Sequence, residues 1–471
     1  MRSLNEKCAV FGIYGKDIDV ARLSFFGLFA LQHRGQEGSG IAVSDGETIR
    51  YHKDHGLVAQ VFTEEAISSL NGYMAVGHNR YSTSKGSGTE HVQPMIVGDL
   101  AFVHNGNLPS TKALEVFLSD KGVEVTNLTD SCLMAHAISW HMGQGMTLAD
   151  AVVASYPLFT GAFSIIAMTK TEMVAARDPK GIRPLTLARL QGGFVVTSET
   201  CALGTVGATF ERDIEPGEMI LINQDGITAT QVAPGDPKLD IFEFIYFARH
   251  DSELMGKSVY EVRKNFGKTL AREYPVDADV VIGVPETSLP CALGYAEQSG
   301  IPYEMGLNKN RYIQRTFIQP DQKLRDKSVK MKLTPIPGVL KGKRVVVIDD
   351  SIVRGTTSKP IVELLFEAGA KEVHFLVSSP PIRFPDFYGI DTPAQSNLLA
   401  YGKTVEEMRQ YLGATSLYFL SVDGMLASTG LPKDHFNTSP FTGEYPIDLK
   451  ERYEEFNYPS KVEGVPVAEK I

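Results

Sequence analysis

Cysteine is scarce in this chain, with four in 471 residues, at positions 8, 132, 201 and 291. They lie far apart and form no C-x-x-C pair, so neither a zinc site nor a disulfide framework is indicated. None of the 11 histidines falls in an H-x-x-x-H or H-E-x-x-H spacing, which removes the common helical metal motifs. No apolar run approaches the length of a membrane span. Met1–Lys7 lacks the apolar core of a signal peptide, and a cytoplasmic location is the expectation. A basic excess is also missing. The 46 Lys and Arg against 56 Asp and Glu leave a net charge of −10, which argues against nonspecific nucleic-acid binding. What remains, 43% hydrophobic and 22% charged residues, is ordinary for a globular enzyme, in a chain long enough for two or three domains.

The most informative segment runs from Val345 to Ser358. Val345, Val346, Val347 and Ile348 lead into Asp349 and Asp350. Ser351, Ile352, Val353, Arg354, Gly355, Thr356 and Thr357 follow, and a helical pattern starts near Pro360. This reads as a buried parallel strand, a tight loop and a helix N-terminus, where free amides, hydroxyls and the helix dipole favour a phosphate. Paired aspartates suit ribose hydroxyls or a Mg²⁺ that counters further phosphates. A core strand ending in a polar turn is the bland alternative.

Short apolar runs alternate with Gly- and Asn-rich turns and several helical patterns from Cys8 to about residue 235, predicting an α+β layered domain. Expected strands are Ala9–Tyr14, Gly40–Val43, Met74–His78, Leu100–His104, Phe163–Met168, Met173–Ala176, Phe194–Thr197 and Met219–Ile222. Expected helices are Ile18–Gln32, Ser110–Ser119, Ser131–Met142 and Thr147–Ser155. The polar stretch Gln231–Lys238 is the expected boundary. Beyond it, alternating helical and β-branched segments predict an α/β domain with a parallel sheet over 236–471.

Ordered segments in the first half resemble the N-terminal nucleophile (Ntn) glutaminase domain of amidotransferases: Cys8-Ala9-Val10-Phe11-Gly12, His33-Arg34-Gly35-Gln36, Gly77-His78-Asn79-Arg80-Tyr81-Ser82-Thr83, His104-Asn105-Gly106-Asn107 and Thr129-Asp130-Ser131. The Asp349–Ser358 segment resembles the 5-phosphoribosyl-1-pyrophosphate (PRPP) motif of type I phosphoribosyltransferases. Together, with Asp178–Leu185, Ser198–Thr200, Phe247–Ser252, Val284–Ser288 and Lys309–Ile318, they resemble the glutamine PRPP amidotransferase family over nearly the whole chain. The chain departs from the family pattern at Ala9, Lys7, His250 and Gln314, where Gly, Glu, Pro and Gly are usual.

The resemblance implies an αββα Ntn domain over 8–235, preceded by a propeptide, Met1–Lys7, whose removal frees the Cys8 α-amine as a base for its own thiol. It makes Cys8 the nucleophile, with the Asn105 side chain and the Gly106 N–H as oxyanion donors. Arg80 is to take the glutamine α-carboxylate and Asp130 the α-amine. Taken singly, Arg80 reads as a surface ion pair, Asp130 as a helix N-cap and Asn105-Gly106 as a hairpin turn. His33, His78 and His104 are expected to be structural supports. In the second half the loop Asp349–Thr357 is to bind PRPP. Lys309 and Arg311 are to contact pyrophosphate on a basic mobile flap. Ser288, Asp349 and Asp350 are to hold one Mg²⁺ per subunit, with Ser288 alternatively a helix N-cap. Asp386 stands where some relatives have a cluster-binding Cys, and no Fe–S cluster is expected. Ammonia would pass through an apolar interior to PRPP, giving 5-phosphoribosylamine at the first committed step of purine synthesis. A homotetramer inhibited by purine nucleotides is implied. Competing readings are an Ntn amidotransferase acting on fructose 6-phosphate, a salvage phosphoribosyltransferase and a PRPP-sensing regulator.

Overall fold

In the computed structural model, residues 8–81, 88–310, 332–390, 392 and 394–452 are described. The first half holds two antiparallel sheets. One contains β1 (Ala9–Gly15), β2 (Gly38–Ser44), β3 (Ile49–His55) and β4 (Met74–Arg80), with β9 (Thr186–Leu190), β10 (Gly193–Thr197) and β11 (Thr209–Asp213), ordered β11-β9-β10-β1-β4-β2-β3. The other contains β5 (Met95–Val97), β6 (Leu100–Ser110), β7 (Thr160–Met168), β8 (Met173–Arg177), β12 (Glu218–Asn223) and β13 (Gly226–Gln231), ordered β13-β12-β8-β7-β6-β5.

Side-chain alternation builds the layers. On β1, Val10 and Tyr14 enter a core shared with Val76, Val103, Ile166 and Ile220, drawn from both sheets. Ala9, Phe11 and Ile13 face the opposite way, onto helix Val20–Ala30. Helices Lys112–Asp120, Asp130–Gly143 and Leu148–Ser155 cover the outer face of the second sheet. The result is the expected αββα stack. Helix starts follow hydroxyl caps: Thr129 accepts from Cys132 N and Thr147 from Asp150 N, each relieving a free helix amide.

The second half is a parallel sheet of β14 (Val280–Gly283), β15 (Arg344–Asp349), β16 (Glu372–Val377) and β17 (Ser416–Phe419), paired in that order. Val346 and Ile348 pack into one core with Phe266 and Tyr295, whereas Val345 and Val347 pack into the other with Ile361 and Leu365. Both faces are therefore buried, as the unbroken β-branched run requires. Between the halves, β13 ends at Gln231, and Leu239–Asp240 already pairs with Phe436–Asn437 near the far end of the chain.

A buried charge network joins the halves. Arg34, 1% exposed, donates to Glu199 and, in a fork, to both carboxylate oxygens of Glu243 at 3.0 and 2.8 Å. Arg183 donates to Asp240 at 2.9 Å. Arg34, Arg183 and Glu199 belong to the first half, Asp240 and Glu243 to the second. Removing one member strands a buried charge. Glu243→Ala is expected to lower unfolding stability by about 3–5 kcal/mol, measured by denaturant titration. A loss below about 1 kcal/mol, the range of an exposed pair, would contradict this account.

Candidate active sites

Cys8 lies immediately before β1 and beside the end of β4, since Ala9 pairs with Asn79. Its thiol donates to Tyr81 O at 3.5 Å and accepts from Tyr81 N at 3.4 Å. A pocket there is lined by Cys8, Arg80, Tyr81, Gln93, His104, Gly106 and Asp130, among others. The structure thus gathers the expected nucleophile, both expected glutamine-binding residues and one expected oxyanion donor around a single space. Burial pushes the Cys8 thiol up to about 11, against the smaller opposing effect of the Tyr81 N–H.

Asn105 and Gly106 are not in a hairpin turn. They lie inside β6, paired with Ser164 and Phe163 of β7. Asn105 is 1% exposed, yet its amide nitrogen has no hydrogen-bond partner among the described residues. A buried donor left unmet is costly, and a ligand acceptor is one way to meet it. Gly106 has φ +152°, and a Cβ there would sit 2.0 Å from Ala162 O, so the position admits only glycine.

Asp130 is the first residue of its helix rather than the cap, a role that Thr129 takes. Asp130 accepts from Leu108 N at 3.2 Å and from Ser131 N at 2.7 Å. His104 Nδ1 lies 3.0 Å from Ser131 Oγ, and His78 Nε2 lies 3.2 Å from His104 O. Burial pushes His78 down to about 3 and also lowers His104, so both stay neutral and scaffold the wall. Gln93 escaped the sequence reading. It accepts from His104 N at 2.6 Å and lines the pocket, but no local pattern marks a lone Gln before Pro94. His33, Glu199 and Cys201 converge as a metal site might. Glu199, however, already takes donors from Arg34, His33, Ser252, Cys201 and Arg249 N, which makes it a structural anion.

The second candidate site lies at the carboxyl end of β15, where parallel sheets place ligands. Asp349 closes the strand, and helix Ser358–Glu367 starts after the loop. Asp349 Oδ1 accepts from Asp350 N at 3.0 Å and Asp350 Oδ1 from Ser351 Oγ at 2.7 Å. Burial raises both carboxyls, Asp349 further through its neighbour Asp350, while Asp350 reaches about 6. Two adjacent hard-oxygen donors, Asp349 buried and Asp350 half-buried, with raised affinity for positive charge fit a Mg²⁺ ion. Ile352 and Val353 point into opposite cores, leaving only their backbone for a ligand. Gly355 has φ +73°. Arg354, Thr356 and Thr357 lie along the same loop, with Thr356 exposed.

Ser288 sits at the helix N-cap position, but its hydroxyl donates to Val284 O and makes no cap bond. Lys309 ends a short strand, Leu307–Lys309, paired with Leu333–Pro335. Its Nζ is 3.6 Å from Glu286. Arg311 and residues 312–331 of the expected flap lie outside the described residues, as do Met1–Lys7 and residues 82–87. His250, at an unusual position for the resemblance, is a strut. Arg263 Nη1 donates to His250 Nδ1 at 2.9 Å, which leaves Nε2–H to donate to Glu286 O at 3.2 Å. Arg263 is itself buried and lowered by burial to about 10.

An Ntn-type cysteine pocket followed by an acidic pair at the head of a phosphate-type loop defines a glutaminase joined to a phosphoribosyltransferase. The comparisons agree. Residues 78–205 match a glutamine amidotransferase domain model, and residues 255–379 match a phosphoribosyl transferase domain model. Amidophosphoribosyltransferase of Bacillus subtilis (strain 168) is 47% identical over 461 residues, covering 95% of this chain and 96% of that protein. That of Mycobacterium tuberculosis (H37Rv) is 45% identical, covering 95% and 88%. The solved B. subtilis glutamine PRPP amidotransferase, complexed with ADP and GMP, superposes with a TM-score of 0.87 at 46% identity, over 94% of this chain and 98% of that one. The chain belongs to the amidophosphoribosyltransferase family. No described helix is long and apolar enough to cross a membrane.

A thiol raised to about 11 is only about one part in 10⁴ thiolate at pH 7. With residues 1–7 attached, alkylation of Cys8 by iodoacetamide is expected to be slow at neutral pH and to rise about tenfold per pH unit toward pH 10. Peptide mass mapping follows the modification. A rate that levels off near pH 8 would refute the burial argument.

Proposed function

We propose that Cys8 hydrolyses glutamine and that the loop Asp349–Thr357 holds the PRPP that receives the ammonia, within domains spanning 8–235 and 236–471. The chain is a pentosyltransferase of its family, and its overall reaction converts glutamine, PRPP and water to 5-phosphoribosylamine, glutamate and pyrophosphate, the first step of purine synthesis. The observation that carries the residue assignment is the buried amide of Asn105, without a partner among the described residues, next to Gly106 of the cysteine pocket.

Removal of Met1–Lys7 would give Cys8 an α-amine with a pKa of about 8, able to take the thiol proton. The thiolate then attacks the glutamine side-chain carbonyl. Charge develops on that oxygen and meets the Asn105 amide and the Gly106 N–H. Ammonia departs with the amine's proton, and water hydrolyses the thioester. Arg80 and Asp130 orient the substrate through its α-carboxylate and α-amine.

At the second site the loop amides and the Thr356 and Thr357 hydroxyls take the 5-phosphate, while Asp349 and Asp350 face the ribose and the cation. Ammonia attacks C1 as the C1–O bond to pyrophosphate breaks, with inversion. Asp349, Asp350 and Ser288 would hold Mg²⁺, which supplies positive charge to the departing pyrophosphate. Lys309 and Arg311 complement it, and His250, through Glu286 O, holds the Val284–Ser288 loop nearby. Purine nucleotides are the proposed inhibitors, consistent with the ADP and GMP in the B. subtilis complex, and a homotetramer is the proposed assembly.

Two variants test the division of labour. Cys8→Ala is expected to abolish glutamine-dependent synthesis and keep ammonia-dependent synthesis near wild type. Asp350→Asn is expected to lose at least about 10²-fold with either nitrogen donor. Equal loss of both activities in folded Cys8→Ala protein would defeat the two-site assignment. Intact-mass measurement of active enzyme should show a chain beginning at Cys8, and a fully active chain that retains Met1–Lys7 would exclude the α-amine as base.

A further inference from the structure

The Gly106 peptide is held from two sides. On one side it pairs with β7, close against Ala162. On the other it meets a loop 280 residues onward, Pro385–Ile390. Gly389 has φ +115°, and a Cβ built there would lie 3.2 Å from Gly106 C, 3.3 Å from Gly106 O and 3.4 Å from Gly106 Cα. Two glycines thus face each other with no room for a methyl group to settle freely. Asn107, the next residue of β6, donates its side-chain amide to Phe387 O at 2.8 Å.

The loop making these contacts is tied down at several points. Asp386 Oδ1 accepts from Tyr388 N and from Ile390 N, each at 2.8 Å, closing the loop on its own side chain. Tyr388 O accepts from Arg183 Nη2 at 2.7 Å and Nε at 3.1 Å. Phe387 and Tyr388 pack with Ala162, Ile182 and Leu449, and Tyr388 OH donates to Ile447 O at 2.6 Å. Asp386, Phe387, Tyr388 and Gly389 come from the second half, whereas Asn105 and Gly106 come from the first.

We infer that the Pro385–Ile390 loop is a positioning element for the oxyanion donors, so that the second half of the chain completes the glutamine-hydrolysing site of the first. The inference rests on the oxyanion roles proposed for Asn105 and Gly106. A donor moved by about 1 Å forfeits much of its effect on the transition state while leaving ground-state binding nearly intact. Among the described residues no hydrogen bond or ion pair links the loop to those proposed to hold PRPP, which separates its role from the second reaction.

The test uses the full-length mature enzyme. Gly389→Ala is expected to lower glutaminase kcat about 10- to 100-fold, with KM for glutamine and ammonia-dependent synthesis within about threefold. Asn107→Ala, which leaves the loop backbone free to fold, is expected to lower glutaminase kcat about tenfold, and Asn107→Gln, which keeps an amide donor, to recover part of that loss. Asn105→Ala runs in parallel as the check on the oxyanion assignment. Glutaminase kcat within twofold of wild type for both Gly389→Ala and Asn107→Ala, with Asn105→Ala impaired, overturns the inference and spares the assignment. Equal losses of both activities in folded Asn107→Ala protein also overturn it, because the loop would then be general scaffolding. Full glutaminase activity in Asn105→Ala removes the assignment and the inference together.

Discussion

The contact on which the rest of the architecture depends is the buried charge network where the halves meet. Arg34 sits between Glu199 and Glu243 with almost no water access, and Arg183 sits beside Asp240. Groups of this kind tolerate burial only when every partner is in place. The network therefore specifies one relative placement of the two halves, where a purely apolar interface would permit sliding. Arg34 also reaches the backbone of Cys8, with Nε 3.4 Å from its carbonyl oxygen. The residue that docks the second half thus also borders Cys8, the proposed nucleophile.

The two proposed catalytic centres place opposite demands on the fold. A thiol and an oxyanion cradle need donors fixed to fractions of an ångström. Cys8 immediately precedes β1, and the proposed oxyanion donors Asn105 and Gly106 lie within β6, paired to β7. A sugar phosphate needs a more open mouth, and the loop proposed for it lies at a strand's carboxyl end. The His250 strut between Arg263 and Glu286 shows how the more open site is still braced from below.

Much of this was legible from sequence, for identifiable reasons. Strands buried on both faces, such as β1 and β15, carry continuous apolar or β-branched runs, and their expected limits agree with the structure within a few residues. Strands β3, β11 and β13 were missed because they are edge strands with exposed polar side chains, and segments such as Arg50–His55 carry no apolar alternation. Helices Val405–Leu412 and Val422–Thr429 show no clear period because each is short and buries only two large apolar side chains, Met408 and Leu412 in one and Met425 and Leu426 in the other. Asn105-Gly106 looked like a turn because Asn-Gly usually is one, and only the tertiary pairing with β7 makes it a strand. Residues placed by distant contacts, such as Gln93, Asn107 and Gly389, have no local signature at all.

Ile352 and Val353 offer a last consequence. These neighbours anchor on opposite faces of the same sheet, one in each hydrophobic cluster. The peptide units that would grip a phosphate are therefore stitched into the interior on both sides. Repacking either cluster would therefore shift the backbone proposed to hold the anion together with the interior.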